Sequence, residues 1–195
     1  NPFQTDELRL LYAGRISTDR GMLIYQDILR RLREQGIPAR LILAGSFIPR
    51  AEQDAFFQAS REIQEWITIL GWTPYQEMPA VLANADIGLA ILLPEPRFVA
   101  ALPVKLFEYM AVGLPVVASD FPLVREIVAG HQCGALVEPN TGIPIAVQTI
   151  SSWWQDRQSG IDTGERGRQA VIAQYNWEKL MEQLSNLYKA ILPLK

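Results

Sequence analysis

Six short apolar runs, separated by longer segments in which apolar residues recur every three or four positions, constrain this chain more than any other feature. The runs are Leu8 to Ala13, Arg40 to Ala44, Ile67 to Leu70, Asp86 to Leu92, Pro115 to Ala118 and Ala135 to Val137. They are too continuous for strands with one wet face, so each reads as a strand covered on both sides. The intervening spacing predicts helices over 21–34, 52–64, 76–84, 105–112, 123–128 and 143–158. Ile24, Ile28 and Leu32 share one face of the first, with Ser17, Thr18 or Asp19 as N-cap and Gly36 as the stop. A last helix, Trp177 to Leu192, carries Trp177, Leu180, Met181, Leu184, Leu187, Tyr188 and Ile191 on one face. Strand, helix, strand in repetition demands right-handed crossovers. The expected fold is therefore α/β, a doubly wound parallel sheet of about six strands with helices on both faces.

A chain of 195 residues buries roughly 70% of its unfolded surface in one core, so it needs neither disulfides nor a structural metal. Lys and Arg number 18 against 21 Asp and Glu, and no basic run occurs. Nucleic acid and anionic membranes reward a dense basic face, so neither is expected as a partner. The single Cys133 and single His131 complete no disulfide, cysteine zinc site or multi-histidine site. Metal ligation would have to come from carboxylates, and no metal site is expected. The longest apolar stretches, such as Ile87 to Leu93, fall far short of the roughly 18 residues of a membrane span, and no signal peptide opens the chain. A soluble, cytoplasmic location is the expectation. Because the sequence opens at Asn1 without Met, and 1–7 reads as linker, a piece of a longer protein is expected.

Doubly wound sheets bind ligands beyond the carboxyl ends of their strands. After the first run, Gly14-Arg15-Ile16-Ser17-Thr18-Asp19-Arg20-Gly21 places two arginines just before a helix, whose unpaired N–H groups already favour an anion. Arg15 and Arg20 would complete a phosphate clamp; alternatively Arg15 caps a helix end and Arg20 is a solvated charge. The segment is neither a Walker loop nor GxGxxG, which argues against an ordinary nicotinamide or flavin dehydrogenase. After the third run, the turn Gly71-Trp72-Thr73-Pro74-Tyr75 could read a base edge with its backbone, while Trp72 is favoured as a packing residue covering a helix end. After the fourth, the irregular loop Pro94 to Pro103 leads into a helix with Lys105 in its first turn and Glu108 three residues on. These two form either an intrahelical ion pair or a site in which Glu108 accepts from both hydroxyls of a ribose. Ser119 or Asp120 reads as an ordinary N-cap, His131 as a surface turn residue and Cys133 as a buried filler.

Taken together, these segments resemble the C-terminal, nucleotide-sugar-binding half of GT-B glycosyltransferases of family 4, or group 1. The likeness is carried by Tyr12-Ala13-Gly14-Arg15 with Arg20-Gly21-Met22, by Leu43-Ala44-Gly45-Ser46, Leu70-Gly71-Trp72 and Ala85-Asp86-Ile87-Gly88-Leu89, and above all by Pro103 to Ser119. Gly134 to Pro139 and Tyr175-Asn176-Trp177 continue it in order. The resemblance implies a Rossmann-like donor domain over 8–175, followed by a C-terminal helix, 176–195, that reaches toward an N-terminal acceptor-binding domain the chain lacks.

By the same resemblance, Arg15 and Arg20 hold the donor diphosphate and stabilise it as it departs. Arg20 stands where relatives usually carry Lys. The N–H groups of Val104 and Lys105 cover the diphosphate, Gly14 lies beneath it, Glu108 binds the ribose, and Gly71 and Trp72 give backbone contacts to the base. The whole enzyme would move a sugar, with retention, from a nucleoside-diphosphate donor of UDP or GDP type to an acceptor hydroxyl, without cofactor or metal, in polysaccharide or glycoconjugate biosynthesis. It would be cytoplasmic or peripheral at the inner membrane face. One departure stands out: eight residues before Glu108, where the family motif has a sugar-binding Glu, this chain has Ala100, and Glu95 is out of register. The alternatives are a non-catalytic nucleotide-binding module and a related epimerase or phosphorylase half. The apolar face of the last helix is expected to be exposed or buried in a dimer of the isolated domain.

Overall fold

The computed structural model describes residues 2–191. In chain order the elements are β1 Leu8–Ala13, α1 Met22–Glu34, β2 Ala39–Ala44, α2 Glu52–Ala59, β3 Ile67–Gly71, α3 Met78–Ala83, β4 Ile87–Ala90, α4 Pro96–Val99, α5 Val104–Ala111, β5 Val116–Ser119, α6 Pro122–Val128, β6 Gly134–Val137, α7 Ile143–Gln155, α8 Arg157–Ala173 and α9 Trp177–Ile191. The six strands form one sheet, ordered β3-β2-β1-β4-β5-β6, and every pairing is parallel. The doubly wound α/β fold expected from the sequence is the fold observed.

Two apolar layers sandwich the sheet, as near-continuous apolar strands require. Leu8, Leu10 and Tyr12 of β1 face a layer with Tyr25, Ile28, Leu29 and Leu32 of α1 and Ile150 of α7. Leu11 and Ala13 face the other, with Leu106, Tyr109 and Met110 of α5. Because the strand period is two, one strand feeds both cores. β1 and β4 are neighbours in the sheet but not in sequence, and the order in which strands are laid down reverses about this pair. A crevice opens there beyond the strand ends.

The sequence reading missed two helices. α4 is a single turn inside the loop read as irregular. α8, the longest helix, lies partly in what was read as an extension of α7, which ends at Gln155. Its interior glycines each cost about 1 kcal/mol of helix propensity, which hid it. Gly160, Gly164 and Gly167 recur on its buried face, where closeness compensates: a Cβ on Gly164 would stand 1.9 Å from the Gly113 carbonyl oxygen. α8 thereby lies against the end of α5.

Within 1–7, the stretch expected to be a linker, Phe3 packs on the domain while 4–6 are exposed. Phe3 is 3% exposed and packs on Gly160. Its N–H donates to Asp86 at 2.5 Å, and its carbonyl accepts from Arg157 at 3.2 Å. At the other end, α9 keeps the expected amphipathic pattern with its apolar face open, Trp177 being 72% and Ile191 63% exposed. Leu192, the predicted last residue of this helix, lies outside the described residues.

Candidate functional site

A buried, fully hydrogen-bonded charge stands immediately before β4. Asp86, with 0% exposure, accepts from Phe3 N–H, from Arg9 N–H at 2.7 Å and from the Arg9 guanidinium at 2.8 and 3.1 Å. The carboxylate's lone pairs are fully used, so this pair is architecture at the amino end of the sheet.

At the carboxyl end a cleft of about 320 Å³ is lined by Gly14, Arg15, Gly45, Trp72, Met78 and Glu108, among others. Gly14 follows β1, Gly45 follows β2, Trp72 follows β3 and Glu108 lies on α5, between β4 and β5. Three strand ends and α5 thus converge on it. Gly14 and Gly45 both have positive φ, 126° and 155°. They approach so closely that a Cβ on Gly45 would fall 1.8 Å from the Gly14 carbonyl oxygen, and only bare backbone fits there.

Tyr109 holds α5 in place. It is fully buried and accepts a hydrogen bond from Ala13 N–H at 2.9 Å. Its ring lies against Gly88, where a Cβ would come within 2.3 Å. Glu108, next in sequence, is therefore presented at a fixed angle beside the end of β1, half-buried and among the cleft residues. It makes no ion pair with Lys105, contrary to the simpler reading of their spacing. Lys105 points inward, 8% exposed, with Nζ 3.6 Å from the centre of the Tyr12 ring. Burial first, and then Arg20, hold the Lys105 amine well below the usual lysine value, with Glu108 pulling the other way.

The two arginines separate. Arg15 is exposed on the cleft. Arg20 is not among the residues lining it; its guanidinium sits 4.9 Å from the centre of the Phe98 ring of α4. The Arg20 Nε is buried without a hydrogen-bond partner among the described residues, as is the Lys105 Nζ. Arg20 is thus half-buried, less solvated than Arg15. Asp19, beside it, accepts from the Arg97 guanidinium and from the Ser17 hydroxyl, and its carbonyl accepts from Leu93 N–H at 2.9 Å. These bonds tie the loops after β1 and β4 together on either side of the crevice.

The helix starts also differ from expectation. A single 3-10 turn, Thr18–Arg20, precedes α1, and Gly21 at φ 81° takes the N-cap position in place of Ser17, Thr18 or Asp19. The Ser119 hydroxyl bridges the N–H and carbonyl of Leu92 at 2.6 and 2.8 Å, and Asp120 pairs with Arg125 at 2.7 Å. Neither caps α6.

Trp72, favoured from the sequence as a packing residue, is 76% exposed at the mouth of the cleft, a surplus of apolar surface that the fold itself does not use. Gly71, at φ 73°, makes the turn that puts it there. Val104 is 72% exposed at the first position of α5. Met78 and Ile48 also line the cleft, and no sequence signal marked them. Ala100 is exposed where α4 ends. His131 meets Tyr175 at 3.1 Å, and Cys133 is buried, its thiol pushed up by burial to about 11. Among the described residues, no three His, Cys, Asp or Glu side chains come together as a metal-holding group, and no helix is long and apolar enough to cross a membrane.

Comparison with known proteins gives the family and agrees with the fold. Residues 7–156 match the family model "Glycosyl transferases group 1". O-antigen chain mannosyltransferase B of Escherichia coli is 29% identical over 142 residues, 72% of this chain and 35% of that protein. Among solved structures, the sucrose-phosphate synthase of Thermosynechococcus elongatus superposes with a TM-score of 0.82 at 22% identity, over 96% of this chain and 46% of that one. Anabaena Alr3699/HepE, solved in complex with UDP and glucose, superposes with a TM-score of 0.81 at 18% identity, over 95% and 49%. The chain spans about half or less of the length of the curated relatives it matches. With a family match over most of its length and the doubly wound sheet to accompany it, the chain belongs to the group 1 glycosyltransferases.

Proposed function

We propose that this chain is the donor-binding domain of a retaining glycosyltransferase, which carries a sugar from a nucleoside diphosphate to an acceptor hydroxyl supplied across an interdomain cleft. The observation that supports it best is the convergence of Gly14, Arg15, Trp72 and Glu108 on one cleft at the carboxyl ends of the strands. Each lining group suits a different part of such a donor. Glu108 accepts from the ribose hydroxyls. The Gly14 backbone lets a diphosphate approach closely, beside Arg15 and the N–H groups of Val104 and Lys105 at the start of α5. The Gly71-Trp72 turn meets the base.

Chemistry follows from charge. As the glycosidic bond breaks, negative charge builds on the departing diphosphate, so Arg15, Arg20 and the α5 N-terminus stabilise the transition state more than the ground state. The HepE complex with UDP and glucose favours UDP as the first ligand to try. Titration of the chain by calorimetry with UDP, GDP and ADP tests the reading. One diphosphate should bind saturably, and Arg15→Ala and Glu108→Ala should each weaken it. Absence of binding by all three at millimolar concentration would remove the support for a donor site in this domain. Ala100, exposed where the family motif has its sugar-binding Glu, favours a second reading, a nucleotide-binding module without transfer. Donor-dependent transfer or hydrolysis by the full-length protein would eliminate it.

A further inference from the structure

Lys105 is a buried amine with no carboxylate bonded to it. Its Nζ lies over the Tyr12 ring face at 3.6 Å and has no hydrogen-bond partner among the described residues. An unpaired ammonium in such a place is costly, so the amine is either neutral or waiting for an anion. Gly14, which lines the cleft, lies beside the amine: a Cβ there would stand 3.2 Å from Nζ, so on that side the buried amine is covered by bare backbone and by no side chain of residue 14. The groups around it are Arg20 from the turn before α1, Glu108 from α5 itself and Tyr12 from β1, whose hydroxyl is committed to the Arg15 carbonyl at 2.5 Å.

We propose that the Lys105 side chain is a further donor-binding group, its ammonium acting on the diphosphate from behind the bare backbone of Gly14, and that one proton enters the site with the anion. The inference rests on the donor-domain reading and deepens it. In the empty cleft, burial and the Arg20 charge keep the amine depressed. An arriving diphosphate brings negative charge to the same place and reverses that balance. The proton comes from the buffer and is held on Nζ; no other bond is made or broken. The site thus holds a proton on its third cation more tightly once the ligand is present, and releases the ligand more easily as pH rises.

The test is a proton inventory. The best-binding nucleoside diphosphate is titrated into the chain near pH 8, where its phosphates are ionised, in buffers of different ionisation enthalpy. Wild type should take up close to one proton per nucleotide, its affinity falling up to about tenfold per pH unit above that point. Lys105→Met should bind about tenfold more weakly or worse, without the uptake, while melting no lower than wild type when empty. Equal affinity and equal proton count in the two proteins would overturn the proposal and leave the donor-domain reading intact, whereas failure of wild type to bind any diphosphate would bring both down. Should the variant not fold, the wild-type pH profile decides alone, a flat one being fatal.

Discussion

The two ends of the central strands treat buried charge in opposite ways. At the amino end, Asp86 is paired with Arg9 and two backbone N–H groups, leaving nothing for a ligand to satisfy. At the carboxyl end, Lys105 Nζ and Arg20 Nε are buried with no partner among the described residues. Paired charge fixes a fold, and unpaired charge beside an open cleft is stability given up for binding. The contrast separates architecture from function within one sheet more cleanly than burial does.

Four perturbations would break or sharpen that contrast. The largest effect should come from Asp86→Ala, which strands Arg9 and costs about 3–5 kcal/mol in stability. Denaturant unfolding measures it, and nucleotide affinity of the protein that remains folded should be unchanged. Next, Arg15→Ala and Glu108→Ala should each cost about 1.5–3 kcal/mol in nucleotide binding, roughly 10- to 150-fold in affinity, with melting temperature held. A loss of stability without a loss of affinity would assign Glu108 to the architecture instead.

Third, stability should depend on pH through Lys105. Its amine is depressed in the fold, so between its folded value and the ordinary value near 10.5 the unfolded chain binds more protons. Empty wild type therefore gains stability as pH rises through that window, by up to about 1.4 kcal/mol per unit, relative to Lys105→Met. The measurement stops short of about pH 10, because the raised phenols of Tyr25 and Tyr109 act in the opposite sense beyond it. A constant difference between the two proteins across pH would mean that the lysine is not buried as described. The smallest effect belongs to the exposed Asp120–Arg125 pair, whose removal by Asp120→Asn should leave the melting temperature unmoved.

The parallel sheet was legible because apolar runs buried on both faces leave an unmistakable pattern, and strand ends located the cleft because crossovers force ligand groups there. Glu108 could be singled out from its place one turn into α5, between β4 and β5. The direction of Lys105 could not, since a lysine three residues before a glutamate looks like a surface pair unless Gly14 is known to lie across from it. Trp72 failed for the converse reason: a turn aromatic usually covers something, and here the exposed ring borders a cleft. α8 was hidden by glycines whose cost is recovered only by a contact with Gly113, 51 residues earlier in sequence. Local propensity carries no record of such partners.

Tyr109 offers a last consequence. Ala13, at the end of β1, gives its N–H to a side chain on α5, so that amide is shielded only while the helix bearing Glu108 is docked. Its hydrogen–deuterium exchange is then a single-site clock for how often the cleft wall bearing Glu108 lifts away, readable in the empty domain and, on the donor-site proposal, expected to slow when nucleotide pins the helix down.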